Sequence, residues 1–174
     1  MADTSSTRVL LANVRFRKLF FARTISNIGN GVAPIAIAFG VLSLPGATPT
    51  SLRIVLAAQA MPLVLVLPVG GVVADRLGRA KVIAVTDLIL SAFVMLTAAL
   101  FLTGTATVPL LALIGAISGC LNALWWPAMS GLVPEVVDDE HLQPANAFVS
   151  VASNAGLIAG NAIGGVLVAL IGSG

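Results

Sequence analysis

Charge is what this sequence most conspicuously lacks. Asp, Glu, Lys and Arg make up 9% of its 174 residues, against about 25% in an ordinary soluble domain. A soluble domain of this length keeps most of its residues near the surface, and so few charges cannot keep that surface wet. The scarcity excludes a soluble globular domain, a disordered tail and a fibrous protein. Cysteine and histidine are nearly absent too. One thiol, Cys120, cannot form an internal disulfide, and with a single histidine, His141, no Cys/His cluster has metal-ligand spacing. Cys120 reads as a helix-packing residue and His141 as a solvated one; no metal or cofactor is expected. There is no H-E-x-x-H, no G-x-S-x-G and no pair of intramembrane acids with a base, so an enzyme is not expected. Net charge is only +2, which gives no electrostatic footprint for nucleic acid.

Apolar residues are what is present, at 58% with a mean hydropathy of +1.06. A helix that crosses a bilayer needs about 20 mostly apolar residues. Five stretches qualify: about 17–44, 54–74, 82–102, 108–126 and 145–171. Runs this long without alternation are helices, because backbone polar groups in hydrocarbon must pair within their own segment or in a closed barrel. The fold class expected is an all-α membrane protein of about five transmembrane helices in a single membrane domain over 1–174. The breaks agree with it. Leu44 to Thr50 is a Pro/Gly turn, Asp75 to Arg79 a short charged turn, Thr103 to Thr107 a polar uncharged one, and Pro127 to Pro144 the longest loop. The first apolar run exceeds the 7–15 residues of a signal-peptide core, so it reads as a retained helix.

The turn between the second and third spans reads Gly70-Gly71-Val72-Val73-Ala74-Asp75-Arg76-Leu77-Gly78-Arg79-Ala80-Lys81. Gly71 is expected to let the helix ends approach, and Gly78 to take a positive φ that reverses the chain. Asp75 lies where it can pair with the arginines or cap a helix. This stretch resembles the G-x-L-A-D-R-x-G-R-[RK] signature of the major facilitator superfamily, in the same place between helices two and three. Gly71, Ala74, Asp75, Arg76, Gly78 and Arg79 match; Val73 replaces Leu, and the basic residue follows one place late as Lys81. In the fifth span, Gly156, Gly160, Gly164 and Gly165 are similar to the family's antiporter pattern G-x-x-x-G-P-x-x-G-G, with Asn161 where the family has the proline that bends the helix. The glycines at every fourth residue also read simply as a close-packing face.

The resemblance covers essentially the whole chain. Ser26-Asn27 and Gly29 in the first helix, and Leu132 to Glu135 followed by Ala145-Asn146-Ala147, look like drug and siderophore exporters of the superfamily. The family's frequent arginine in helix four has no counterpart; the polar residues there are Ser118, Cys120 and Asn122. What the resemblance implies is part of the N-terminal six-helix bundle of a major facilitator fold, ending after the fifth helix. The implied function is secondary, proton-coupled efflux of small amphipathic molecules by the complete transporter. Its implied partners are the lipid bilayer, a small-molecule substrate, and the second half or another membrane chain. An alternative is a non-transporting membrane subunit that pairs with or regulates a transporter.

Asp75, Arg76, Gly71, Gly78 and Arg79 are then expected to gate conformational change, and the resemblance places helices one, two, four and five around a central cavity. Asn27, Asn30, Gln59, Asn122, Asn154 and Asn161 are candidates to line it, against the plainer role of interhelical hydrogen bonding. Asp87, the one acid within a span, lies about 9 Å along the helix from Lys81, which favours an interfacial ion pair over a proton-carrying role.

Orientation follows from the cations. Arg8, Arg15, Arg17, Lys18, Arg23, Arg76, Arg79 and Lys81 fall on the side of the N-terminus and only Arg53 on the other, so the N-terminus is expected to be cytoplasmic, in a plasma (inner) membrane. Reporter fusions test this: phosphatase should be active at Thr48, Thr105 and Gly174, and fluorescent protein should fold at Asp138. Phosphatase activity at Asp138 would overturn the five-span arrangement.

Overall fold

The computed structural model describes residues 9–10 and 12–171; Arg8 in the charge count and the C-terminal 172–174 lie outside them. Among the described residues there is no strand. Five long helices follow one another: α1 (Val14–Leu42), α2 (Pro49–Leu77), α3 (Arg79–Leu102), α4 (Val108–Val136) and α5 (Leu142–Ile171), with a 3-10 turn at Asp139–His141 before α5. All five are long and apolar enough to cross a membrane. Large apolar side chains stay exposed along them, Leu65 and Leu88 among others, as lipid-facing surfaces require.

The helices are longer than the apolar runs. Twenty-nine residues in α1, α2 and α4 rise about 43 Å, well beyond a hydrocarbon core of about 30 Å. The expected loop from Pro127 to Pro144 is therefore corrected. α4 passes through Pro127 and Pro134 and ends at Val136, and Pro144 sits in the first turn of α5. Proline read as a breaker, but a spanning helix tolerates the lost N–H because packing neighbours fix its path. Pro34, Pro62 and Pro68 are likewise helical. α2 starts five residues before the expected Ile54, because Thr48 and Ser51 form a reciprocal cap. Thr48 Oγ1 accepts from the Ser51 N–H at 3.4 Å, and Ser51 Oγ accepts from the Thr48 N–H at 3.1 Å. Proline in the first turn suits the start of a helix.

The chain forms two compact units. The first comprises the described residues up to Phe39 and from Val133 to Ile171. Its seam is α1 against α5, and the glycines set it. A Cβ on Gly156 would meet the Thr24 carbonyl at 2.9 Å and Asn27 Cβ at 3.2 Å. One on Gly160 would overlap the Ile28 carbonyl, and one on Gly164 would meet Val32 Cα at 3.3 Å. Contacts that advance together along both helices mean that α1 and α5 run parallel. From α1, Gly31 answers: its Cβ would lie 2.9 Å from Gly160 Cα. Gly165 has nothing within 4 Å and stands outside the seam. At one end of this unit Leu10 and Phe16 are buried with Val133, Val137, Ala145 and Val149. Asn13 holds that end together. Its Oδ1 accepts from the N–H groups of Arg15 (3.0 Å) and Phe16 (3.2 Å), capping α1, while its Nδ2 donates to the carbonyl of Val136 at 3.1 Å.

The second unit, Gly40–Leu132, pairs α2 with α4 by the same device. A Cβ on Gly119 would overlap the Gln59 carbonyl, one on Gly70 the Ala123 carbonyl, and one on Gly115 would sit 3.4 Å from the Val55 carbonyl. These contacts also advance together, so α2 and α4 are parallel. Ala74, Val82 and Ala128 are buried together where α2, α3 and α4 meet, with Ile83 and Leu124 packed on them. The Phe101 ring lies over Gly40, 2.6 Å from where a Cβ would be.

Glycine contacts to backbone cannot yield as a flexible side chain can. Gly160→Leu should therefore lower thermal stability in detergent by several degrees, since overpacking costs about 1–3 kcal/mol. Gly165→Leu, with open space beside it, should melt within a degree of the parent. A nanoscale fluorimetry scan of the two variants checks the contrast.

Candidate functional site

The charged turn is tighter than the sequence suggests. α2 runs to Leu77 and α3 begins at Arg79, so a single residue reverses the chain. Gly78 has φ 89° and ψ 120°, a backbone that side-chain-bearing residues rarely adopt. Its N–H donates to the Ala74 carbonyl, closing α2, and its carbonyl accepts from the Val82 N–H, opening α3, both at 3.0 Å. No side chain caps α3 here, so Asp75 does not act as a cap. It pairs instead: Arg79 Nη2 lies 2.9 Å and Arg79 Nε 3.0 Å from Asp75 Oδ1.

Arg79 also reaches α4. Its Nη1 donates to the Gly131 carbonyl at 2.6 Å, a short charge-assisted bond to an acceptor near the end of a helix, where the dipole favours a cation. The guanidinium occupies the space that a Cβ on Gly131 would take. Gly131 is thus part of this clamp, and sequence reasoning missed it because it lies 52 residues away inside the expected loop. A Cβ on Gly71, the glycine expected to permit the close approach, would meet only Pro127 Cβ, at 3.8 Å. The approach is made at its neighbour Gly70, against Ala123. Arg76 is exposed and has no ion pair among the described residues. Asp75, Arg79 and Gly131 form one unit of charge and geometry; Gly78 supplies the turn that makes it possible.

The six intramembrane amides separate into two kinds. Asn27, Asn122 and Asn154 each turn their Nδ2 back to the carbonyl four residues earlier, on Arg23, Ser118 and Ser150, at 2.8, 2.8 and 2.9 Å. Asn30, Gln59 and Asn161 make no side-chain hydrogen bond among the described residues. Asn30 and Asn161 are exposed, and Gln59 is half-buried. Pro34 lacks an N–H, so it cannot donate to the Asn30 carbonyl either. Asn30 and Asn161 sit beside the Gly31–Gly160 crossing: the Asn161 backbone N is 2.8 Å from the position of a Cβ on Gly31. In the second unit Gln59 lies where α2 meets Gly115 and Gly119 of α4. Asp87 is half-buried on α3. Among the described residues no group of His, Cys, Asp or Glu is arranged to hold a metal ion.

Comparison with known proteins adds the family. Residues 5–174 match the family model of the transmembrane secretion effectors of the major facilitator superfamily. An uncharacterised transporter of major facilitator type from Bacillus subtilis (strain 168), YkuC, is 30% identical over 164 residues, 94% of this chain and 37% of its own length. The multidrug efflux pump Tap of Mycolicibacterium fortuitum is 28% identical over 159 residues, 88% of this chain and 39% of its own. The chain thus spans a little over a third of the length of the curated relatives it matches. No solved structure matches it. The five spanning helices, the Gly-Asp-Arg-Gly-Arg turn between the second and third of them, and a match along nearly the whole chain place it, plainly, in the transmembrane secretion effector family of the major facilitator superfamily.

Proposed function

We propose that these five helices belong to a secondary active exporter of small amphipathic molecules, coupled to proton movement, in the plasma membrane with a cytoplasmic N-terminus. In this reading they supply part of one body of the transporter, as one membrane domain, and work with the rest of a longer chain or with another membrane chain. Alternating access needs two bodies moving against each other around a midplane site.

The observation that carries the reading is the set of amides that make no side-chain hydrogen bond among the described residues. A polar group within a bilayer is costly unless it is satisfied. Three asparagines satisfy themselves on their own helices; Asn30, Gln59 and Asn161 do not. Amides kept available at mid-span suit a ligand whose own polar groups must be matched as it leaves water. The relative that is a multidrug efflux pump supports export as the direction. Asp75, Arg79 and Gly131 would serve gating: a guanidinium that joins the α2–α3 turn to α4 makes these three segments move together.

Efflux of lipophilic dyes from cells producing the complete transporter tests both parts. Asn161→Leu and Asn30→Leu should each reduce efflux of a hydrogen-bonding substrate about two- to tenfold, the worth of one hydrogen bond, whereas Asn154→Leu should do less. Unchanged efflux in both would remove these amides from the site. Asp75→Asn, which keeps size and removes charge, should insert normally and lose about fivefold or more in efflux, the scale of a typical conformational coupling. Full efflux in that variant would remove Asp75 from the mechanism.

A further inference from the structure

The start of α1 carries a surface that the transport reading does not use. Val14, Arg17, Lys18 and Phe21 are spaced i, i+3, i+4 and i+7, so they form one stripe along the helix. Val14 is 50% and Phe21 56% exposed, and Arg17 and Lys18 are exposed between them, with exposed Arg15 at the edge. The opposite face holds Phe16, which is fully buried, and the partly buried Leu19 and Phe20. The stripe therefore points away from the unit to which α1 belongs.

None of the three cations makes an ion pair or side-chain hydrogen bond with a described residue. No acidic residue occurs anywhere on α1. The stripe is also held in place rather than left to fray. Asn13 caps α1 and ties it to the Val136 carbonyl, and Leu10 and Phe16 anchor either side of that cap in the apolar cluster.

We propose that this stripe is a binding site for anionic phospholipid headgroups. Arg17 and Lys18, unpaired among the described residues, set above the exposed Phe21 match the layered chemistry of a lipid surface, with phosphate above and acyl chain below. Arginine adds a planar fork suited to phosphate. Unpaired cations on a fixed helix start attract anionic lipid by roughly a factor of five each. The contact fixes the depth at which α1 crosses, and through the Asn13 tie the depth of the α4–α5 junction.

Native mass spectrometry of the intact purified protein, with phosphatidylglycerol and phosphatidylcholine of matched acyl chains, tests the site. The parent should retain phosphatidylglycerol in preference, and the preference should weaken as salt rises. In Arg15→Gln/Arg17→Gln/Lys18→Gln it should fall about tenfold or more. Arg8, Arg23, Arg76, Arg79 and Lys81 still outnumber Arg53 in that variant, so the charge bias that orients the helices remains. The charge-preserving variant Arg15→Lys/Arg17→Lys/Lys18→Arg should keep most of the preference, which separates lost charge from lost folding. No preference in the parent, an undiminished preference in the glutamine variant, or equal loss in both variants would overturn the proposal.

Discussion

Close approach of helix backbones at glycine is the constraint on which the rest depends. In lipid the tails are as apolar as leucine, so burial of apolar surface does not drive helices together; packing and polar contacts do. Gly160 against the Ile28 carbonyl, Gly119 against the Gln59 carbonyl and Gly70 against the Ala123 carbonyl leave no room for even a methyl group. Each sets the register of a parallel pair, α1 with α5 and α2 with α4. Once register is set, the level of every polar side chain follows. Asn161 comes beside Gly31, and Gln59 beside Gly115 and Gly119, because the neighbouring glycines put them there.

Polar anchors then secure the helix ends, where the hydrocarbon stops and charge is tolerated. Arg79 and Asn13 act alike in different units. Each satisfies a group on its own turn and also reaches a carbonyl of α4, Gly131 about a turn in from its end in one case and the terminal Val136 in the other. Val136 is among the last four carbonyls of α4, which lack intrahelical donors, and is a natural acceptor for such a tie; the Gly131 carbonyl, further in, takes the Arg79 guanidinium as a charged donor. A cation is the stronger donor of the two, and Arg79 adds the carboxylate of Asp75. Glycine packing sets how helices lie against each other; these two side chains set how the turns are fastened.

Some of this was legible in the residues alone. Five spanning helices followed from apolar runs and from the obligation of backbone groups to pair. Glycine spacing marked Gly156, Gly160 and Gly164 as a packing face, and the Asp75-to-Arg79 turn carried the family signature. Other features were not legible. Pro127 and Pro134 looked like the edges of a loop because proline has no N–H, but packing carries the α4 backbone past both. Gly71 and Gly70 are equivalent on paper; only the direction each faces decides that Gly70 meets Ala123. Gly165 completes a motif in the sequence and touches nothing across the seam.

The sequence by itself determined what depends on local chemistry: membrane residence from the scarcity of charge, helix number from run length, a chain reversal at Gly78 from its freedom to take positive φ. Tertiary structure decided what depends on distance between chain segments. It joined Arg79 to Gly131 and Asn13 to Val136, and it separated the amides that bond back to their own helices from those that make no side-chain hydrogen bond among the described residues. The reason is that a hydrogen bond within four residues is visible in spacing, whereas one across 52 or 123 residues exists only after the helices have packed.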